Sequence, residues 1–327
     1  MTLAALAVLA GLVLLMWSAE RFVVSASDLA ARFGMPPLLI GMLVVGFGTS
    51  APEMTVSVLA SLGGNPGIAL GNAYGSNITN LALILGLTAL VAPVAVQSRV
   101  VKRELPLLLG LTAVAGVQLI DGEVSRADAG VLLVLFVGVL GWSLLQARRQ
   151  PGDPLGHDVE QELAQHRPSS TGRSVLGLVI ALAVLIGSSR LLVWGAVEIA
   201  QAAGLSDLVI GLTVIAIGTS LPELASSLVA ARRGEHDLAF GNLVGSNLFN
   251  TLVVIGLAGL ARPLPVTETL LQRDLPVMIG LTALVLLYGF DLRGRRRINR
   301  LEGLSLVAIF VAYTAWLLFG SVPPASS

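Results

Sequence analysis

The sequence predicts an all-α integral membrane protein: ten transmembrane helices in two inverted-topology five-helix repeats. Three observations lead there. The chain is far more apolar than a solvated domain, its apolar residues fall into runs of membrane-crossing length, and a polar motif of the first half returns in the second.

Of 327 residues, 55% are hydrophobic and 12% charged, with a mean hydropathy of +0.85. A helix needs about 20 apolar residues to cross the hydrocarbon core. Ten such segments lie at 3–33, 36–62, 67–92, 100–120, 124–147, 174–203, 206–232, 237–262, 270–290 and 300–319. The first lacks a basic flank and a small-residue cleavage site, so it reads as a retained span. The absence of cysteine excludes disulfides and thiolate metal sites. A net charge of zero points away from nucleic acid.

Basic residues orient the spans, because short cytoplasmic loops are enriched in Lys and Arg. With both termini outside, the cytoplasmic loops hold fifteen: Arg32; Arg99, Lys102 and Arg103; Arg148, Arg149, Arg167 and Arg173; Arg232 and Arg233; Arg293, Arg295, Arg296, Arg297 and Arg300. The external loops hold three, Arg126, Arg262 and Arg273. This places the protein in the cell membrane with its central linker in the cytoplasm.

Residues 46–86 align without a gap to 216–256, with 16 of 41 pairs identical. The identities include G-T-S-x-P-E (48–53 and 218–223), G-N, G-S-N-x-x-N (75–80 and 245–250) and a closing glycine, Gly86 or Gly256. The polar segment 148–173, with Pro151, Pro154 and Pro168, separates a first repeat at 1–147 from a second at 174–327. Five spans per repeat is an odd number, so the second copy enters the membrane from the opposite side. Arg21 with Asp28, and Arg190 with Glu198, precede the two motifs near the interfaces and suit snorkelling.

In the second span Pro52 lacks a backbone donor, which frees the carbonyl of Gly48 and bends the helix. Thr49 and Ser50 stand four and three residues before Glu53, on the same helix face. Gly218, Thr219, Ser220, Pro222 and Glu223 repeat the set. Ser76 with Asn80, and Ser246 with Asn250, add an i, i+4 face from the neighbouring spans. A carboxylate in mid-membrane costs about 2.5–3.5 kcal/mol on insertion scales, so two of them require a reason. A cation supplies one. The donors are all oxygen, which suits a hard ion such as Ca²⁺. His157, His166 and His236 fall in the linker and a loop, outside the cluster.

With these motifs in view, the chain resembles the calcium/cation antiporter family, and within it the prokaryotic sodium/calcium exchangers, over essentially its whole length. The resemblance implies that Glu53, Glu223, Thr49 and Thr219 ligate Ca²⁺. It implies further that Ser50, Ser220, Ser76 and Ser246, with the carbonyls of Gly46 and Ala216, complete Na⁺ sites that Asn80 and Asn250 close. Relatives often carry Asp where this chain has Asn250, leaving two formal negative charges here. The expected activity is Na⁺/Ca²⁺ antiport by alternating access, without enzymatic chemistry or cofactor, in a lipid bilayer. A proton/calcium exchanger of the same fold is the nearest alternative and a cation channel a more distant one. An intramembrane hydrolase is disfavoured, since no base is placed to activate Ser50 or Ser220.

Overall fold

The computed structural model describes residues 2–32, 50–96, 103–149, 171–233, 236–290 and 297–320. Gly46, Thr49, the first half of the expected second span and most of the expected linker lie outside these residues. In chain order the helices are α1 (Thr2–Arg32), α2 (Ala51–Leu62), α3 (Pro66–Val91), α4 (Leu105–Gln118), α5 (Arg126–Arg149) and α6 (Thr171–Ala203), then α7 (Asp207–Thr219), α8 (Leu221–Arg233), α9 (236–261), α10 (Leu270–Gly289) and α11 (Arg300–Gly320). Among the described residues, six helices are long and apolar enough to cross a membrane, or seven if α7 and α8 count as one span bent by 45°.

Several details depart from the sequence reading. Helices α5 and α6 run to Arg149 and from Thr171, so both ends of the expected linker are helical; their charged turns project past the apolar run. His236, expected in a loop, is the first residue of α9. Four two-residue strands were not foreseen: β1 (Val94–Ala95) pairs antiparallel with β4 (Arg297–Ile298), and β2 (Glu123–Val124) with β3 (Leu264–Pro265). Such short ladders leave no alternating pattern in a sequence, yet they pair backbone groups where helices end. Both join the first half of the chain to the second.

Four helices also contain π geometry: α3 at Thr79–Ile84, α7 at Gly211–Ile215, α10 at Leu270–Asp274 and α9 at Asn250–Val254. The first and last fall on matching residues of the two motifs. A π turn widens the helix and turns the side chains beyond it, and such turns collect at functional sites. The simple i, i+4 face drawn from Ser76 to Asn80 and from Ser246 to Asn250 is therefore re-aimed at its C-terminal end.

Close approach of backbones holds the bundle together, as expected where lipid removes the hydrophobic drive for helices to associate. On α3, a Cβ built on Gly71 would lie 2.7 Å from the Leu208 carbonyl oxygen and 2.9 Å from the Cα of Gly211 on α7. One on Gly75 would lie 2.7 Å from the Leu212 Cα. Helices α1 and α6 run antiparallel: a Cβ built on Gly11 would lie 3.0 Å from the Leu192 nitrogen, and one on Gly195 2.7 Å from the Ala4 oxygen. Gly86 and Gly303 bring α3 and α11 together, and at the matching place Gly256 seats against Leu133 and Ala129 of α5.

These contacts give a direct test. Gly71→Ala should destabilise the protein by about 1–3 kcal/mol, because the methyl group meets backbone rather than a flexible side chain. Gly110→Ala, where a Cβ meets nothing within 4 Å, should leave stability unchanged or slightly raised. Thermal unfolding in detergent decides it; equal midpoints for the two variants would show that the α3–α7 contact tolerates a side chain.

Candidate cation site

Ser50 (φ −88°, ψ 4°) and Ser220 (φ −87°, ψ 7°) have nearly the same backbone, in the sparsely allowed bridge region. Each is followed by a fresh helix start with proline in its first turn, where the missing N–H is an orphan in any case. Glu53 and Glu223 then fall in the first turn of α2 and α8. Unpaired N–H groups and the positive end of the helix dipole face a carboxylate there, which makes the position tolerable for an acid inside a membrane. Both glutamates are 1% exposed.

Polar side chains from both halves converge on these acids. Ser220 Oγ donates to Glu53 Oε1 at 3.5 Å, and Ser246 Oγ to Glu223 Oε1 at 3.4 Å. Thr219 Oγ1 lies 3.5 Å from Ser76 Oγ and donates to Asn72 Oδ1 at 3.1 Å. The Ala216 carbonyl, expected as an ion ligand, here accepts from the Ser220 amide at 3.1 Å and is approached by the Thr219 hydroxyl at 3.4 Å. Asn80 Nδ2 donates to Asn247 Oδ1 at 2.9 Å.

Thus Glu53, Ser76, Thr219, Ser220 and Ala216 share one hydrogen-bonded group, Glu223 pairs with Ser246, and Asn80 pairs with Asn247, all of them buried. Ser50 and Asn250 are buried as well but find no side-chain hydrogen-bond partner among the described residues; Gly46 and Thr49 are outside the described residues.

Three further residues belong to this interior although the sequence reading gave them no role. Asn72 donates to the Glu53 carbonyl at 3.1 Å and to Ser57 Oγ at 2.9 Å. Asn77 donates to Thr251 Oγ1 at 2.9 Å and Met278 Sδ at 3.4 Å. Asn247 donates to the Asn77 carbonyl at 3.4 Å. Their signal was the identity of G-N and G-S-N in both motifs, which small-residue packing would explain equally well.

Several buried oxygens have no hydrogen-bond partner among the described residues: Ser50 Oγ, Glu53 Oε2, Glu223 Oε2, Asn77 Oδ1, Thr79 Oγ1, Asn80 Oδ1 and Asn250 Oδ1. A buried acceptor left unmet costs about 1–3 kcal/mol, more when charged. A positive charge would satisfy open acceptors of this kind. Among the described residues no three Asp, Glu, His or Cys side chains come together; the donors are two carboxylates with hydroxyl and amide oxygens, a set for hard cations and not for soft transition metals.

Comparison with known proteins identifies the family. The family profile described as sodium/calcium exchanger protein matches residues 3–145 and 173–319. CaxA of Alkalimonas amylolytica is 46% identical over 322 residues, covering 98% of this chain and 100% of its own. Sodium/calcium exchanger MaX1 of Methanosarcina acetivorans is 30% identical over 349 residues, covering 96% and 98%. A solved structure of the sodium-calcium exchanger NCX_Mj, soaked with 2.5 mM Na⁺ and 0.1 mM Ca²⁺, superposes with a TM-score of 0.63 at 32% identity, covering 96% and 98%.

Asn72 is the scaffold of this interior, and its loss should be felt in stability. Asn72→Ala strands the Glu53 carbonyl and Ser57 and should cost about 1–3 kcal/mol. The matching Asn242 is half-buried and donates to Ser226 at 2.8 Å and to Ser227 at 3.3 Å, so Asn242→Ala should cost less, about 1 kcal/mol. Titration of the purified variants with a denaturing detergent, followed by circular dichroism, separates the two; equal losses would mean that Asn72 carries no special load.

Proposed function

Because the chain belongs to the sodium/calcium exchanger family, we propose that it is a secondary antiporter that exchanges Na⁺ for Ca²⁺ across the cell membrane by alternating access. One observation carries the reading: two buried glutamates from different helix starts face a set of hydroxyl and amide oxygens whose acceptor capacity is largely unspent. Calcium takes about 6–8 oxygens in flexible geometry. Sodium accepts the same donors, so the two ions compete for overlapping oxygens. Either cargo offsets the carboxylate charge, whereas an empty site leaves two like charges in a low-dielectric interior and resists the switch.

In this reading Glu53, Glu223, Thr49 and Thr219 hold Ca²⁺. Ser50, Ser220, Ser76, Ser246 and the carbonyls of Gly46 and Ala216 serve Na⁺, and Asn80 and Asn250 close the middle. The spans number ten, in inverted repeats at 1–147 and 174–327 joined by a cytoplasmic linker, with both termini outside. The antiparallel packing of α1 on α6, the shared backbone at Ser50 and Ser220, and strand pairs that exchange halves support this arrangement.

The decisive experiment is ⁴⁵Ca²⁺ uptake into proteoliposomes under imposed Na⁺ or H⁺ gradients, with Li⁺ and K⁺ as controls. An outward Na⁺ gradient should drive uptake, and Glu53→Gln or Glu223→Gln should abolish it in a folded protein. Uptake driven by H⁺ alone would replace sodium with the proton as the coupling ion. Gradient-independent flux that saturates poorly would indicate a channel.

Asn250 adds a second test. Asn250→Asp places a third carboxylate in the site, so the complex that moves carries one positive charge fewer. Uptake by this variant should depend less on an imposed potassium diffusion potential than uptake by the wild type. An unchanged voltage profile in an active variant would remove Asn250 from the ion path.

A further inference from the structure

An amide that closes a cation site has a problem a carboxylate does not share. Its oxygen attracts the ion and its NH₂ repels it, so the group works in one of two orientations only. This chain carries amides at both matching positions, Asn80 and Asn250, and must settle the orientation twice.

For Asn80 the structure shows how. The chain of bonds begins at the backbone carbonyl of Asn77, which can only accept. Asn247 Nδ2 donates to that carbonyl at 3.4 Å, which turns Asn247 Oδ1 the other way. Asn80 Nδ2 then donates to Asn247 Oδ1 at 2.9 Å. The Asn80 Oδ1 is left buried with no partner. Each donor is used in a direction fixed by an acceptor-only group at the start.

The repeat-related pair is Asn250 with Asn77. Asn77 Nδ2 donates to Thr251 Oγ1 at 2.9 Å and to Met278 Sδ at 3.4 Å, and the thioether can only accept. Asn77 Oδ1 is therefore the free end, buried without a partner. Asn250 Nδ2 is the complementary donor, and it too is buried without a partner. One clasp is closed in this structure and the other has both halves present but unjoined.

We infer that Asn247 and Asn77 are positioning residues for cation selectivity: Asn247 holds the carboxamide of Asn80, and Asn77 that of Asn250, with the oxygen presented to the ion. They touch the ion's ligands rather than the ion. The α10 helix takes part through Met278, one turn beyond Arg273 and Asp274, which tie its start to α11 by bonds to each other and from Tyr313 to Asp274 at 2.8 Å.

The inference rests on the proposed cation reading and makes a pattern that packing alone does not produce. A carboxylate has two equivalent oxygens and needs no orientation, so Asp at position 80 makes Asn247 dispensable, and Asp at position 250 makes Asn77 dispensable. The measurement is equilibrium ⁴⁵Ca²⁺ binding to purified protein in detergent. The affinity lost to Asn247→Ala is taken within the wild-type, Asn80→Asp and Asn250→Asp backgrounds, which cancels the general effect of the added charge.

Removing a residue that orients a metal ligand costs about tenfold or more in affinity. Asn247→Ala should therefore cost about tenfold in the wild-type and Asn250→Asp backgrounds and little in Asn80→Asp, while Asn77→Ala should show the crossed pattern. Equal losses in all three backgrounds, or none, would overturn the assignment. Should Asn247→Ala not fold, the Asn77 arm answers the same question. Absence of Ca²⁺ binding by the wild type would instead remove the cation reading, and this inference with it.

Discussion

Two carboxylates buried in one membrane-embedded interior set the terms for the rest of the structure. Among the described residues neither Glu53 nor Glu223 has a basic partner, and each carboxylate accepts one long hydrogen bond from a serine hydroxyl. Helix starts compensate in part. The helix starts that follow Ser50 and Ser220 bring orphan N–H groups and dipole ends to the acids. An interrupted helix needs dense surroundings, and the glycines of α3 and α7 supply them by bringing backbone against backbone.

The contrast with Asp274 shows that open valence here is specific and not a general looseness of buried acids. Asp274 is fully buried as well, yet Arg273 meets both of its oxygens, at 2.7 and 3.2 Å, and Tyr313 adds a third bond. A buried acid that serves structure is saturated, because an unpaired one costs several kcal/mol. Glu53 and Glu223 each keep an oxygen without a partner. The same division runs through the amides: Asn72 is fully engaged as scaffold, while Asn80 and Asn250 keep their oxygens open.

Much of this was legible in the residues. Apolar runs marked the helices, because length and hydropathy are one-dimensional properties. Pro52 and Pro222 marked the helix starts, and the doubled motif singled out the glutamates and serines. The π turns at Asn80 and Asn250 were not legible, since a single inserted backbone residue carries no side-chain signature. Nor were the two-residue strand pairs, which are set by where helices end. Asn77 and Asn247 stayed hidden because a buried amide is as often interhelical glue as anything else, and only the directions of their hydrogen bonds distinguish the two roles.

The strand pairs carry a consequence for how the protein is made. Partners β1 and β4, and β2 and β3, are separated by more than a hundred residues, and each pair links early chain to late chain. When the ribosome has delivered the first half to the membrane, Val94 and Val124 have no backbone to pair with, and the notches at Gly71 and Gly75 stand open to lipid. The polar interior, whose bonds run from α2 and α3 to α7 and its end, likewise closes only once the second half is present. Without the second half, Glu53 lacks the Ser220 hydroxyl and Asn72 the Thr219 hydroxyl, so the polar interior is a product of the whole chain and of neither half alone.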